Sequence, residues 1–291
     1  YTKSNYSVGL SSATAALHLS LKALGIRKGD QVIVPDLTFI ATANAVLMAG
    51  ATPVMADVNI DDYNINIESI KKNITKKTRA IIPVHFAGNP CDMDKIMEIA
   101  KKYNLKVMED NCESVGAKYK GKFLGTLGNV GAFSYDFGKV ITTGEGGMVV
   151  TNDAIIDKYA QEYHDHGHEN NTNLPRGKDT KTNYGFNYRM TEMQAAVGKV
   201  QLGRLNYIIK EYFYRLSKII DVYLILNIVW TIILINLYIT NNNEVYVDKK
   251  KKIIFLLIIF LCTFFSSKHF APIEKNKLVW DHNKLKNKFS I

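Results

Sequence analysis

The sequence predicts an α/β fold, a three-layer α/β/α domain on a mostly parallel sheet. Two observations carry this expectation. Short β-rich runs alternate with amphipathic helical runs up to about residue 205. Several of the helical runs also end in Gly or Asn, as helices prefer. A chain of 291 residues has room for one large domain, or a large and a small one. Its apolar content of 47% is ordinary for a globular protein, so disorder is not the default.

The chain starts mid-pattern at Tyr1 with no signal peptide and reaches a helix-like run almost at once, as expected of a chain that has lost an amino-terminal piece. Predicted helices are ATAALHLSLKALG (13–25), ATANAVLMAG (41–50), IESIKKNI (67–74) and MDKIMEIAKKYN (93–104), each with apolar residues at helical spacing. Predicted strands are QVIVP (31–35), TPVMAD (52–57), AIIPVH (80–85), LKVMED (105–110), GAFSY (131–135) and GGMVVT (146–151). Crossovers of this kind give parallel strands, with ligands expected beyond their carboxyl ends. Pro35, Asp57, His85, Asp110 and the turn carrying Lys139 all lie at such ends.

After Gly203 the composition changes. All 19 glycines lie at or before that position, and the remaining 88 residues hold one alanine and one proline. This splits the chain into a domain over 1–209 and an atypical apolar, basic tail over 210–291. Residues 222–243 and 253–267 are uncharged and flank KKKK (249–252). About 20 apolar residues span a bilayer, so a membrane hairpin is one reading of the tail. The reading we favour is an altered frame or misjoined sequence, because Ile, Asn, Lys, Phe and Tyr displace Gly and Ala together. The tail also supplies most of the net charge of +10: Lys+Arg exceed Asp+Glu by 3 over 1–209 and by 7 after that. The nearly neutral main part is not that of a nucleic-acid binder. Cys91, Cys112 and Cys262 have no paired spacing for a disulfide framework or zinc site, which fits a reducing cytoplasm.

The chemistry centres on GKVITTGEGG (138–147). A Walker loop places its Lys after the final Gly and directly before Ser or Thr. Here Lys139 precedes VITT and the glycines follow, leading into a strand, so the order is wrong for a nucleotide-phosphate cradle. A lysine in a tight turn between two strands at a sheet edge suits imine chemistry with a carbonyl cofactor. Pyridoxal phosphate then needs an acid for its ring nitrogen, an anion site and an aromatic face. Asp110 at the end of VMED supplies the acid, although taken alone it reads as an N-cap. SSATAAL (11–17) puts small residues at a helix start, where free amides attract phosphate. Phe39 of PDLTF follows a strand end and can stack on a ring, although an aromatic there is more often core.

Together, SSATAAL, VPDLTFIATANAV, EDNCES with the following GA, GAFSYDFGKVITTGEGGMVVT and GFNYRMTEMQAAVG resemble the DegT/StrS family of sugar aminotransferases over nearly all of 1–209. That resemblance implies the large domain of a fold-type-I pyridoxal-phosphate transferase and a homodimer with shared active sites. It implies that Lys139 condenses with the cofactor's aldehyde and shuttles protons. Asp110 pairs with the ring nitrogen, Phe39 stacks on the ring, and Ala13, Thr14 and Ser134 hold the phosphate. Asn187 of FNYRM reaches the phosphate from a neighbouring subunit. Glu113 stands near the ring hydroxyl, where family members often carry Gln or His. Relatives that replace the lysine by His are sugar dehydratases, so Lys139 favours transamination.

YHDHGHENN (163–171) places three histidines at alternate positions, which on an extended segment point the same way. No cysteine accompanies them, and the reading taken is hydrogen bonding to a polyhydroxylated or anionic substrate rather than metal binding. His164, His166, His168 and Arg176 are the substrate candidates. HDHGHENN, PRGKDT and EDNCES look most like the subgroup that aminates an eight-carbon 3-deoxy-octulosonic sugar, whose carboxylate Arg176 can pair. The function expected is cytoplasmic transfer of an amino group from L-glutamate to a keto or aldehydo sugar, nucleotide-linked or octulosonate-type, for lipopolysaccharide or surface polysaccharide. The alternatives are a remnant that binds cofactor without turnover, and a membrane-anchored binding protein.

Overall fold

A computed structural model describes residues 1–171, 173–175, 178–180 and 183–241, with side chains described as far as 234. Among the described residues the strands and α-helices run in the order β1 (Tyr6–Leu10), α1 (Ala13–Ala23), β2 (Gln31–Pro35), α2 (Ala41–Met48), β3 (Thr52–Ala56), α3 (Ile67–Asn73), β4 (Thr78–Ile81), α4 (Met93–Tyr103), β5 (Lys106–Asp110), β6 (Lys118–Tyr119), β7 (Lys122–Phe123), β8 (Val130–Ser134), β9 (Gly147–Thr151), α5 (Ala154–Tyr163) and α6 (Glu192–Asn241).

Seven strands form one sheet in the order β1-β9-β8-β5-β4-β2-β3. Neighbours from β3 across to β8 are parallel, while β9 is antiparallel to both β8 and β1. The period of two along each strand sorts side chains into two cores. Val32, Val34, Ala80, Ile82 and Met108 pack with α1, α2 and α5. Ile33, Ile81 and Val107 face the other way, onto α3 and α4. The three-layer expectation therefore holds.

Local chemistry ends the helices where the sequence indicated. Ser12 caps α1 by accepting from the Ala15 amide at 3.2 Å, and Asn66 caps α3 by accepting from Ser69 at 2.9 Å. Asn104 closes α4 in the left-handed region at φ 52°. Several features differ from expectation. Strand β4 spans Thr78–Ile81 and stops short of His85, and the short strands β6 and β7 were not predicted. The amino-terminal stretch, read as leading straight into a helix, forms the edge strand β1, registered on β9. Helix α5, capped by Asp153, was not predicted. The turn carrying Lys139 is a longer loop over 135–146 rather than a tight turn, closed by Tyr135 N–H to Gly146 O at 2.9 Å and Thr143 N–H to Tyr135 O at 2.9 Å.

The first compact unit ends at Asn206, inside α6, and a second begins at Tyr207. Among the described residues α6 is the one helix long and apolar enough to cross a membrane by length and composition. Residues 249–252 and 253–267, on which the hairpin reading also depends, lie outside the described residues.

Candidate functional site

The carboxyl ends of β2, β5 and β8 meet at one edge of the sheet, joined there by the start of β9 and the chain entering α1. Asp110 is paired in register with Ala132 on β8, and Ser134 with Gly147 on β9. Asp110 is 4% exposed and both its oxygens are engaged: Oδ2 accepts from Thr42 Oγ1 at 2.8 Å, and Oδ1 from the Cys112 amide at 3.1 Å. Thr42 in turn shares a 2.8 Å hydrogen bond with Thr38. The Cys112 contact is the local turn-capping role that Asp110 has by sequence alone; the Thr42 contact, from α2, fixes the carboxylate from a second direction.

Lys139 is half-buried, and its amide donates to Asp136 O at 3.0 Å. With Ala87, Cys112 and Glu113 it lines a cleft of about 280 Å3, larger than the roughly 150 Å3 that holds a benzene ring. Burial, reinforced by the neighbouring Asp110 carboxylate and opposed by Lys139, raises the Cys112 thiol well above its ordinary range, so Cys112 is a neutral wall of this cleft. Burial, with Cys112 nearby, likewise pushes the Tyr135 phenol up to about 12.

On the same sheet, α1 packs on β8 and β9. A Cβ at Gly147 would lie 2.3 Å from the Ser12 carbonyl oxygen, so only glycine lets β9 abut the start of α1 so closely. Ser12 uses its hydroxyl on Ala15, which leaves the Ala13 and Thr14 amides, both on half-buried residues, without intrahelical partners by helix geometry. Ser134 is 3% exposed; its oxygen accepts from the Asp136 amide at 3.3 Å, and its proton remains free to donate. Free amides at a helix start and a buried hydroxyl suit a phosphate.

Phe39 is 73% exposed just ahead of α2, which rules out the core role expected of most aromatics. Glu113 is exposed and tied down, with Oε2 accepting from the Ala87 amide at 2.9 Å in a turn where Ala87 has φ 49°. Asn187 is exposed on a segment bridged antiparallel to Asp165. That segment is anchored by Tyr188, whose carbonyl accepts from Ser11 at 2.8 Å and whose hydroxyl meets His18 Nδ1 at 3.0 Å, and by the Arg189–Asp165 ion pair.

The three alternating histidines do not converge, because the segment is not extended. His164 ends α5 and turns its Nδ1 back on the Ala160 and Gln161 carbonyls, and burial lowers its pKa. His166 is exposed at φ 57°. His168 is buried against Asp179 at 2.9 Å. The cause is Gly167 at φ 83°, where any Cβ would collide with the Asn183 carbonyl; this Gly, visible in the sequence, turns the chain between the second and third histidine. Among the described residues no group of His, Cys, Asp or Glu is arranged to hold a metal. Arg176 lies outside the described residues.

Sequence reasoning missed Glu109. Its side chain is fully buried and accepts from the amides of Gly125 at 2.8 Å, Leu127 at 2.7 Å and Gly128 at 2.6 Å, with His85 Nε2 at 3.2 Å. The available signal was a second acid directly before Asp110 at the end of the strand.

The chain is 44% identical over 218 residues to a GDP-perosamine synthase of Escherichia coli O157:H7, a match covering 75% of this chain and 57% of that protein. The X-ray structure of an aminotransferase from Psychrobacter cryohalolentis matches with TM-score 0.67 and 44% identity, over 70% of this chain and 53% of that one. The PLP-form of the putative sugar aminotransferase Spr1654 from Streptococcus pneumoniae matches with TM-score 0.65 and 32% identity, over 71% and 57%. The chain thus spans about half the length of these relatives. The model of the DegT/DnrJ/EryC1/StrS aminotransferase family matches residues 1–219, and the chain belongs to that family.

Proposed function

We propose that this chain carries the cofactor-binding part of a pyridoxal 5'-phosphate-dependent aminotransferase that moves an amino group from L-glutamate to a nucleotide-linked keto sugar. One observation carries the reading: buried Asp110 lies in register with the strand whose loop presents Lys139, and Cys112, two residues from Asp110, lines the same cleft as Lys139.

When bound, the cofactor supplies an aldehyde carbon for the travelling amino group and a ring that withdraws electrons. In this reading the Lys139 amine anchors the cofactor and carries protons to and from it. The Asp110 carboxylate, pinned by Thr42 and the Cys112 amide, keeps the ring nitrogen protonated. The Ala13 and Thr14 amides and the Ser134 hydroxyl hold the phosphate, and exposed Phe39 offers its face to the ring. Glu113, held by the Ala87 amide, lines the cleft and would stand by the ring hydroxyl. Asn187 reaches the phosphate of a second copy, giving a homodimer with shared sites. The reaction takes place in the cytoplasm and serves lipopolysaccharide or surface-polysaccharide synthesis.

The nucleotide-linked acceptor is preferred to an octulosonate because a 44% identical relative is named for a GDP-linked product. The histidines that pointed to the eight-carbon sugar are dispersed, and of the three only His166 is exposed. The purified chain, incubated with pyridoxal phosphate, should show a visible absorbance band that L-glutamate bleaches and that Lys139→Ala abolishes. A band that glutamate leaves unchanged supports a remnant that binds without turnover; no band in the native chain refutes the proposal.

A further inference from the structure

We propose that Glu109 is a positioning residue for the candidate site: its buried carboxylate fastens together the strand that carries Asp110, the turn that leads to Ser134 and Lys139, and the turn after β4 whose Ala87 amide holds Glu113. The inference rests on the cofactor-binding reading above. Glu109 precedes Asp110 on β5, so the two side chains leave the strand on opposite faces. Its Oε1 accepts from the Leu127 and Gly128 amides, and its Oε2 from the Gly125 amide and His85. The 125–128 turn leads directly into β8, which ends at Ser134 and opens the Lys139 loop. His85 begins the turn in which the Ala87 amide holds Glu113, and its own amide donates to Asp110 O at 3.3 Å. One side chain therefore touches every segment that feeds this edge from β4, β5 and β8.

The charge state follows from donors and acceptors. The Cys91 amide donates to His85 Nδ1 at 3.1 Å, so that nitrogen carries no proton and Nε2–H is the donor to Glu109. Burial opposes a charge on His85 while Cys91 and Glu109 favour it, and the balance lies upward. The occupied Nδ1 nevertheless assigns a neutral ring in this geometry. The fully buried carboxylate then has all four lone-pair positions filled by N–H donors, which is what a buried anion requires. A glutamine fills only two of them and turns its own N–H groups toward two donors.

The test compares Glu109→Gln and His85→Asn with the native chain. Asn at 85 retains an acceptor for the Cys91 amide and loses only the donor to Glu109. Measured where far-UV circular dichroism is native, the Kd for pyridoxal phosphate should rise at least about tenfold in Glu109→Gln and a few-fold in His85→Asn, as for losing an outer partner that orients a ligand. Amide exchange at Gly125, Leu127 and Gly128 should accelerate in both. Ile33→Ala, a core change away from this edge, should leave the Kd of the folded fraction unchanged, which separates positioning from loss of stability. A folded Glu109→Gln with native Kd overturns the proposal. Should that variant fail to fold, a native Kd in His85→Asn overturns it instead. If the native chain binds no pyridoxal phosphate, the functional reading fails; amide exchange then decides the fastening itself, and unchanged exchange in the variants contradicts it.

Discussion

The sheet unit and helix α6 are both rich in apolar residues, yet they use them in opposite ways. In the sheet unit apolar side chains are sealed between layers, and the buried polar side chains of Glu109, Asp110 and His85 each meet a specific partner. Along α6 from Tyr212 to Leu234 the large apolar side chains stay exposed, with Ile225 at 59%, Ile228 at 58% and Trp230 at 62%. In that stretch Asn227 Nδ2 donates to Tyr223 O and Thr231 Oγ1 to Asn227 O, each at 2.8 Å, back onto their own helix. The sheet unit is therefore specified by pairs distant in sequence, whereas α6 from Tyr212 to Leu234 is specified by its own i to i−4 bonds. Only the first kind of order can assemble a site from separate segments.

The contrast breaks first on core truncation. Ile33→Ala and Val107→Ala, at fully buried strand positions, should each lose about 2–5 kcal/mol in urea unfolding, while Ile232→Ala, 53% exposed on α6, should stay within about 0.5 kcal/mol. Equal losses would mean that α6 is packed like a core helix. A smaller effect is expected at Gly147→Ala, where the added Cβ meets the Ser12 carbonyl. Overpacking there should cost about 1–3 kcal/mol and weaken phosphate retention, read as inorganic-phosphate competition for the cofactor.

The pH response should sharpen the contrast within the sheet unit. Burial, aided by Lys22, holds the His18 imidazole down at about 4 instead of 6.5. The unfolded chain takes up this proton more readily than the folded one. The contribution is thus complete above about pH 6.5 and is lost as pH falls toward 4. Urea midpoints of the native chain should decline across that window, and His18→Gln should flatten the decline. The smallest effect on the fold is predicted for Leu226→Lys with Val229→Lys. Both sites are exposed, so the pair should leave the unfolding midpoint of the sheet unit unchanged and reduce the need for detergent during purification.

Most of the sheet was legible because its signals are local. β2 to β5, β8 and β9 are apolar runs between Gly, Pro and Asn punctuation, and α1 to α4 repeat at helical spacing with visible caps. β1 was not legible, because YSVGL is short and partly polar and becomes a strand only by pairing with β9, far along the chain. α5 carried a readable signal in Asp153 ahead of a periodic run that went unread. The histidine alternation misled because the period of two holds only in extended chain, and Gly167 breaks it. The places of Asp110 at the end of β5 and of Lys139 in the loop between β8 and β9 were legible in the sequence, whereas the contacts of Glu109 depend on a turn at 125–128 that no local pattern connects to it.

The most direct test of the account is chemical. Pyridoxal phosphate added to the purified chain, trapped with borohydride and mapped by mass spectrometry, should leave its adduct on the peptide containing Lys139. An adduct confined to other lysines, or none at all, would contradict the assignment of this sheet edge as the cofactor site.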